Sequence, residues 1–183
     1  MDFPTKQFDV IYADPPWKYG TEMHNTIHFT YGAKYHYPTM SLDEMKVMRV
    51  RRISKQNCLL FIWATSPLLR EAIVLGTYWG FEYITIAFVW LKSNKANPGN
   101  YTMSRAELVL VFKRGKIPEP RGARNIEQYL YVPRTEHSTK PVEIKNRITE
   151  MFPTQDKIEL FARNTTQFDV ENKWEHWGNE VEN

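Results

Sequence analysis

Apolar residues fall along the chain in two kinds of run. Short stretches at Phe8 to Ala13, Leu59 to Ala64, Tyr83 to Leu91, Glu107 to Phe112 and Lys157 to Ala162 have the length and the branched and aromatic content of strands. Between them lie segments with helical spacing. These are Ser41 to Val50, opened by a Ser41 and Glu44 capping box, Pro67 to Trp79, closed near Gly80, and Pro141 to Phe152. Strands alternating with helices predict an α/β fold, a sheet with helices on both faces, whose ligands collect beyond the carboxyl ends of the strands. Asp14 and Arg163 each stand just past such an end. Three connections are longer than this plan needs: Lys18 to Thr39, Ser93 to Ser104 and Gly115 to Lys140. The first carries Tyr19, His24, His28, Phe29, Tyr31, Tyr35, His36 and Tyr37, a composition suited to a substrate lid. His24 and His28 have the spacing of metal ligands on a helix, but nothing completes a ligand set, so no metal is expected.

At 183 residues the chain is long enough for one core and too short for two, which predicts a single domain over residues 1–183. Its one cysteine, Cys58, lies in an apolar run, so an internal disulfide is excluded and a reducing compartment is expected. No signal pattern opens the chain, and no apolar run approaches membrane-spanning length. The expectation is a soluble cytoplasmic protein without a membrane partner. The net charge of +3 is unevenly placed. Acidic residues dominate after Pro153, while Lys46, Arg49, Arg51, Arg52 and Lys55, and then Lys113, Arg114, Lys116, Arg121 and Arg124, form basic clusters that suit either a solvated surface or phosphates.

The candidate chemistry begins at Asp14-Pro15-Pro16-Trp17. A strand that meets two prolines cannot continue its ladder, so the chain is held in a short rigid turn. That turn offers a carboxylate, a carbonyl and an indole together. Asp14 and the Pro15 carbonyl suit the two hydrogens of an exocyclic amine, and Trp17 offers a face for the base to stack on. An aromatic amine is a poor nucleophile because its lone pair is shared with the ring. Two acceptors drawing on its hydrogens favour a pyramidal nitrogen, which is work of positioning and electrostatics. The chemistry indicated is methyl transfer to an amino group on a base. The alternative for the tetrapeptide alone is a stiff corner with a buried tryptophan. Only 13 residues precede Asp14, so a methyl-donor site must follow the catalytic strand in sequence. The candidates are the Lys157 to Arg163 strand with its exit, and His137-Ser138-Thr139-Lys140-Pro141, where a helix start and a lysine suit an anion.

These motifs, with Tyr37 to Glu44, Arg105 to Phe112, Glu159 to Arg163 and Trp174 to Glu180, occur in an order that resembles the family of adenine-N6 methyltransferases containing the catalytic subunit of the mRNA adenosine methylating complex. The resemblance implies a Rossmann-like class I fold with a mixed twisted sheet, circularly permuted so that the catalytic strand precedes the donor-binding strand. It implies S-adenosylmethionine as cofactor and N6-adenine methylation of nucleic acid. Asp14, Pro15, Pro16 and Trp17 match the catalytic tetrapeptide. Asp14, Lys140, Arg163, Asn164, Asn179 and Glu180 are the implied donor-binding residues: Lys140 for the carboxylate, Arg163 and Asn164 near the ribose, Asn179 and Glu180 at the adenine. Glu159 stands at a family position where it organises the pocket. The short length resembles bacterial and phage members and favours DNA over RNA; family relatives pair two such domains, which is compatible with a homodimer. Competing readings are an RNA adenosine methyltransferase, an inactive nucleic-acid-binding subunit, and a glutamine-amide methyltransferase. The last normally has Asn and Tyr where Asp14 and Trp17 stand here.

Overall fold

A computed structural model describes residues 2–18, 38–94, 96–98, 101–134, 139–162 and 166–178. Nine strands are described: β1 (Phe8–Ala13), β2 (Ser54–Thr65), β3 (Glu82–Lys92), β4 (Asn97–Pro98), β5 (Met103–Ser104), β6 (Ala106–Arg114), β7 (Tyr129–Val132), β8 (Lys157–Leu160) and β9 (Trp174–Trp177). The helices are α1 (Leu42–Lys46), α2 (Leu69–Tyr78), α3 (Val142–Met151) and α4 (Gln167–Glu171). Seven strands form one sheet in the order β7-β3-β6-β2-β1-β8-β9, while β4 and β5 pair separately. β6 runs antiparallel to both its neighbours, and every other pairing in the sheet is parallel.

Each face of the sheet has its own core. On one side Ile11, Ala13, Leu60, Ile62, Leu110 and Phe112 pack under Met45 of α1 and Ala72 and Leu75 of α2. On the other, Val10, Tyr12, Phe61, Trp63, Trp90 and Val109 pack under Ile144 and Ile148 of α3. The expected helices on both faces are therefore present. β1 and residues 58–64 of β2 are apolar on both faces because both are covered, whereas β8 alternates, Ile158 and Leu160 facing one core and Lys157 and Glu159 the other side. Among the described residues no helix is long and apolar enough to cross a membrane.

Most predicted elements stand close to their expected bounds, with informative exceptions. The Ser41 capping box forms, Ser41 Oγ accepting from the Glu44 N–H at 3.3 Å and the Glu44 carboxylate accepting from the Ser41 N–H at 2.7 Å. The helix it opens nevertheless ends at Lys46 rather than Val50. The chain continues through a 3-10 turn at Val50–Ile53, in which Val50 and Ile53, three apart, eclipse one another and are both buried. β7 falls inside the stretch expected to be a long connection; it is a four-residue edge strand with only Leu130 buried. β2 runs from Ser54 to Thr65, longer at its polar start than the apolar run alone indicated.

The order of strands fixes where a ligand belongs. From β1 the chain moves outward to β2 on one side, and from β8 it moves outward to β9 on the other. β1 and β8 are parallel neighbours, Ala13 opposite Leu160, so their carboxyl ends lie at a topological switch point, where sheets of this class bind ligands.

α2 approaches the sheet at Gly76, where an added Cβ would lie 2.4 Å from a carbon of the fully buried Phe112 ring. Alanine is worth about 1 kcal/mol over glycine in a helix, but overpacking a closed core costs about 1–3 kcal/mol. Gly76→Ala is therefore expected to lower stability by about 1 kcal/mol, read as a lower urea midpoint; a midpoint equal to or above that of the parent would show that α2 can lift from the sheet.

Candidate active site

The first strand delivers its catalytic candidates by stopping. After Ala13 the two prolines end the ladder, and the Trp17 N–H donates back to the Pro15 carbonyl at 2.8 Å, a three-residue turn. Met40 then returns beside it. Its N–H donates to Pro16 O at 2.8 Å, and its carbonyl accepts from the Lys18 N–H at 3.0 Å, a parallel bridge between Trp17 and Met40. Among the described residues the Pro15 carbonyl thus uses one lone pair, in the turn. Trp17 is buried, 8% exposed, and its Nε1 donates to the Trp63 carbonyl at 3.4 Å. Its indole packs in the core that lies under α1 and α2, a buried tryptophan as the structural alternative for this residue expected; stacking on a base would use only the part left open.

Asp14 is paired. The Lys140 ammonium lies 3.0 Å from Asp14 Oδ1 and 3.4 Å from Glu107 Oε2. Glu107, near the start of β6, also binds Lys92, at the end of β3, through Oε1 at 2.5 Å. Four charges of alternating sign therefore run from β3 across β6 to β1. Beneath them lies an aromatic layer: Lys140 is 5.3 Å from the centre of the Trp63 ring, Lys92 is 5.1 Å from that of Trp90, and the two indoles meet edge to face at 6.1 Å. Trp63 Nε1 donates to Tyr12 Oη at 2.5 Å. Burial pushes the Tyr12 phenol well above its ordinary range, and the charges of Glu159 and Asp14 add to that, so it stays neutral. Burial would push Lys140 down, but Asp14 and Glu107 outweigh it and hold its ammonium above the usual lysine range. Burial would likewise raise Glu107, yet Lys140 and Lys92 prevail and hold its carboxyl below the ordinary value.

A second charged cluster stands behind β8. Lys145 of α3 donates to Glu159 Oε2 at 2.6 Å, pairs with Asp169 Oδ1, and lies 3.1 Å from His176 Nε2 and 4.9 Å from the centre of the Trp174 ring. Asp169 also closes the α4 capping box, accepting from the Thr166 N–H at 2.8 Å. Glu159, expected to organise the pocket by bonding backbone or Arg163, is held by Lys145, and Arg163 lies outside the described residues. Burial pushes its carboxyl above the ordinary range despite Lys145. At the exit of β8 the chain turns through Phe161 with φ at 64°, a left-handed conformation that a bulky side chain rarely adopts. Phe161 packs edge to face on Trp177 at 5.9 Å, and the Ala162 N–H donates to the Trp177 carbonyl at 3.1 Å. A Cβ at Gly178 would stand 2.1 Å from the Ala162 carbonyl, so only glycine lets the two strand exits close on one another.

Of the residues expected at the site, Asp14, Pro15, Pro16, Trp17 and Lys140 are brought together. Arg163, Asn164, Asn179 and Glu180 lie outside the described residues, as do His24 and His28 and the aromatic stretch around them. The basic clusters sit elsewhere. Lys55 lies near the start of β2, and Lys113 and Arg114 at the end of antiparallel β6, toward the edge of the sheet opposite Asp14. Lys55 binds Asp9 and Asp156, and Arg114 holds Ser54. Lys92, Lys145, Asp169 and His176 received no role from the sequence. Lys92 could have been found by strand parity, since Phe88, Trp90 and Lys92 alternate onto one buried face.

One antiparallel strand in a parallel sheet, with a carboxylate and an ammonium meeting at the switch point, is the architecture of a class I methyltransferase. The MT-A70 family profile matches residues 8–180, and the chain belongs to that family. It is 48% identical to the Type II methyltransferase M.MunI of Mycoplasma sp, over 97% of this chain and 79% of that protein. It is 30% identical to a probable N(6)-adenosine-methyltransferase MT-A70-like of Oryza sativa subsp. japonica, over 86% of this chain and 21% of that protein. It is 25% identical to the N(6)-adenine-specific methyltransferase METTL4 of Mus musculus, over 96% of this chain and 38% of that protein. The plant and mouse relatives are thus several times longer than the part this chain matches.

The second cluster is expected to make the fold acid-sensitive. Burial first, and then the Lys145 charge, pull His176 down to about 4. Between that value and the ordinary 6.5 the unfolded chain binds a proton that the folded one refuses, so stability is full above about pH 6.5 and falls as the pH drops towards 4. Lowering the pH from 7.5 to 5 is expected to cost about 2 kcal/mol through this group. The difference in urea midpoints between the two pH values should shrink in His176→Gln; an undiminished difference would place the acid sensitivity elsewhere.

Proposed function

We propose that the chain transfers the methyl group of S-adenosylmethionine to the exocyclic N6 amine of adenine in DNA, acting as one catalytic unit over residues 1–183. The observation that carries this reading is Asp14 at the switch point, paired with Lys140 and next to a proline carbonyl that, among the described residues, accepts from the Trp17 N–H alone. The residues present fit the donor. Lys140 is a cation suited to an amino-acid carboxylate, Asp14 an anion suited to the neighbouring ammonium, and the switch point between β1 and β8 is where a nucleotide-like group binds in such sheets. When bound, the donor supplies an electrophilic methyl group.

The chain's own part is geometric and electrostatic. Asp14 and Pro15 O accept the two amine hydrogens, drawing the nitrogen out of the ring plane so that its lone pair points away from the base. Prolines on both sides of the second acceptor keep it from moving with the substrate. The indole floor excludes water beneath the carboxylate and strengthens each of these interactions. In a duplex the target base must leave the stack, and the corner receives it from the open side. The 48% identity to a protein named a Type II methyltransferase, matched along most of its length, weighs toward DNA. The relatives named for adenosine methylation, matched along about a fifth of theirs, support the N6 amine as acceptor. The cytoplasmic location and the pairing of two chains implied by the family resemblance belong to this reading. The connectivity, with the catalytic strand first and β8 late, is read as the permuted form of the class I sheet.

The test is methyl transfer from labelled S-adenosylmethionine to matched adenine-containing duplex DNA, single-stranded DNA and RNA. Label is expected as N6-methyladenine in DNA, with Asp14→Asn lowering kcat at least about 100-fold. Transfer only to RNA would overturn the substrate, and full activity in Asp14→Asn would overturn the mechanism.

A further inference from the structure

The proposed reaction needs Asp14 and Lys140 in fixed relation, yet Lys140 is shared. Its ammonium stands between two carboxylates, 3.0 Å from Asp14 and 3.4 Å from Glu107, and both can compete for it. What decides the division is the other oxygen of Glu107, which is taken by Lys92. We propose that Lys92 is a positioning residue of the active site, holding Glu107 by one oxygen so that the other presents Lys140 to Asp14. The inference rests on the proposed function for its catalytic consequence, but its structural claim stands on this chain alone.

The geometry supports a fixed rather than an incidental pair. Lys92 is the last residue of β3, and its side chain is only 7% exposed, lying over Trp90 on the face that α3 covers. Its backbone N–H donates to the Arg105 carbonyl at 3.0 Å, so the strand end that carries it is tied to the entry of β6. Glu107 is anchored from both sides, its position opposite Trp90 in β3 and Thr65 in β2. Among the described residues the charged groups facing Glu107 are Lys92 from β3 and Lys140 from the segment before α3, with Asp14 of β1 beyond Lys140. Removing Lys92 leaves a buried carboxylate with one cation, which it would either draw away from Asp14 or release by taking up a proton.

Two readouts test this, one of which needs no substrate. In carbon-13-labelled protein, the Glu107 carboxyl resonance should titrate at a pH higher by roughly one unit or more in Lys92→Met, and remain near the parent value in Lys92→Arg. In the methyl-transfer assay Lys92→Met should lower kcat about tenfold at neutral pH and move the acid limb of its pH profile upward, with Lys92→Arg restoring both. An unmoved Glu107 titration overturns the inference even if the parent protein methylates DNA. A raised one supports the positioning even if no methyl transfer is found, which would count against the proposed function alone. An equal loss of kcat at every pH, with Glu107 unmoved, would reduce Lys92 to packing. Should Lys92→Met fail to fold, the charge-balanced pair Lys92→Met with Glu107→Gln carries the test. Activity equal to that of Glu107→Gln alone shows that Lys92 acts through Glu107, and a further loss overturns it.

Discussion

A lysine ammonium taken out of water between two carboxylates is the constraint on which the rest of the site depends. Removing an ion from water costs several kcal/mol, so Lys140 can stay where it is only while its partners are held close. Asp14 is held because β1 ends on two prolines, and Glu107 because β6 enters the sheet between β2 and β3. The antiparallel strand is thereby useful in itself. Running against its neighbours, β6 brings its first residues, not its last, to the edge where β1 and β8 end, and so adds a carboxylate there without lengthening any loop.

The charged residues do not stand alone. Under them Trp90, Trp63, Tyr12 and Trp174 form a layer of rings, each touching a charge or another ring. This layer does two things at once. It gives the sheet a hydrophobic centre under α3, and it presents to the charges a low-dielectric base on which opposite signs must alternate. The same logic recurs behind β8, where Lys145 serves Glu159 and Asp169 and leaves His176 neutral. Burial, with the Lys145 charge second, keeps this histidine from being poised to exchange protons at physiological pH.

How much of this was legible in the sequence depends on the kind of signal. The strands that form the middle of the sheet were legible, because runs such as Phe8 to Ala13 and Leu59 to Ala64 are apolar on both faces. The tetrapeptide was legible because proline has only a few backbone uses. β7 was not, because four edge residues with a single buried side chain carry little pattern, and the shortness of α1 was not, because a five-residue helix and a 3-10 turn share the same apolar spacing. Lys140 was found as a cation near a helix start, but its partner Glu107 and that partner's partner Lys92 were not. Ion pairs between residues 15, 33 or more apart are set by strand order, which periodicity does not encode. Trp17 was legible as a residue of the corner, but its burial in the core under α1 and α2 was not, because residue type alone does not say which face a side chain joins.

The bridge between Trp17 and Met40 fastens the two ends of the intervening segment to one point beside the carboxylate. Closing any chain segment at its ends costs entropy, and doubling its length adds only about 0.6 kcal/mol to that cost. Between anchors fixed in this way, chain length by itself carries little entropic cost. The corner is thus locked by a clasp of its own, from Pro16 and Lys18 to Met40, and its shape is inherited with those few residues.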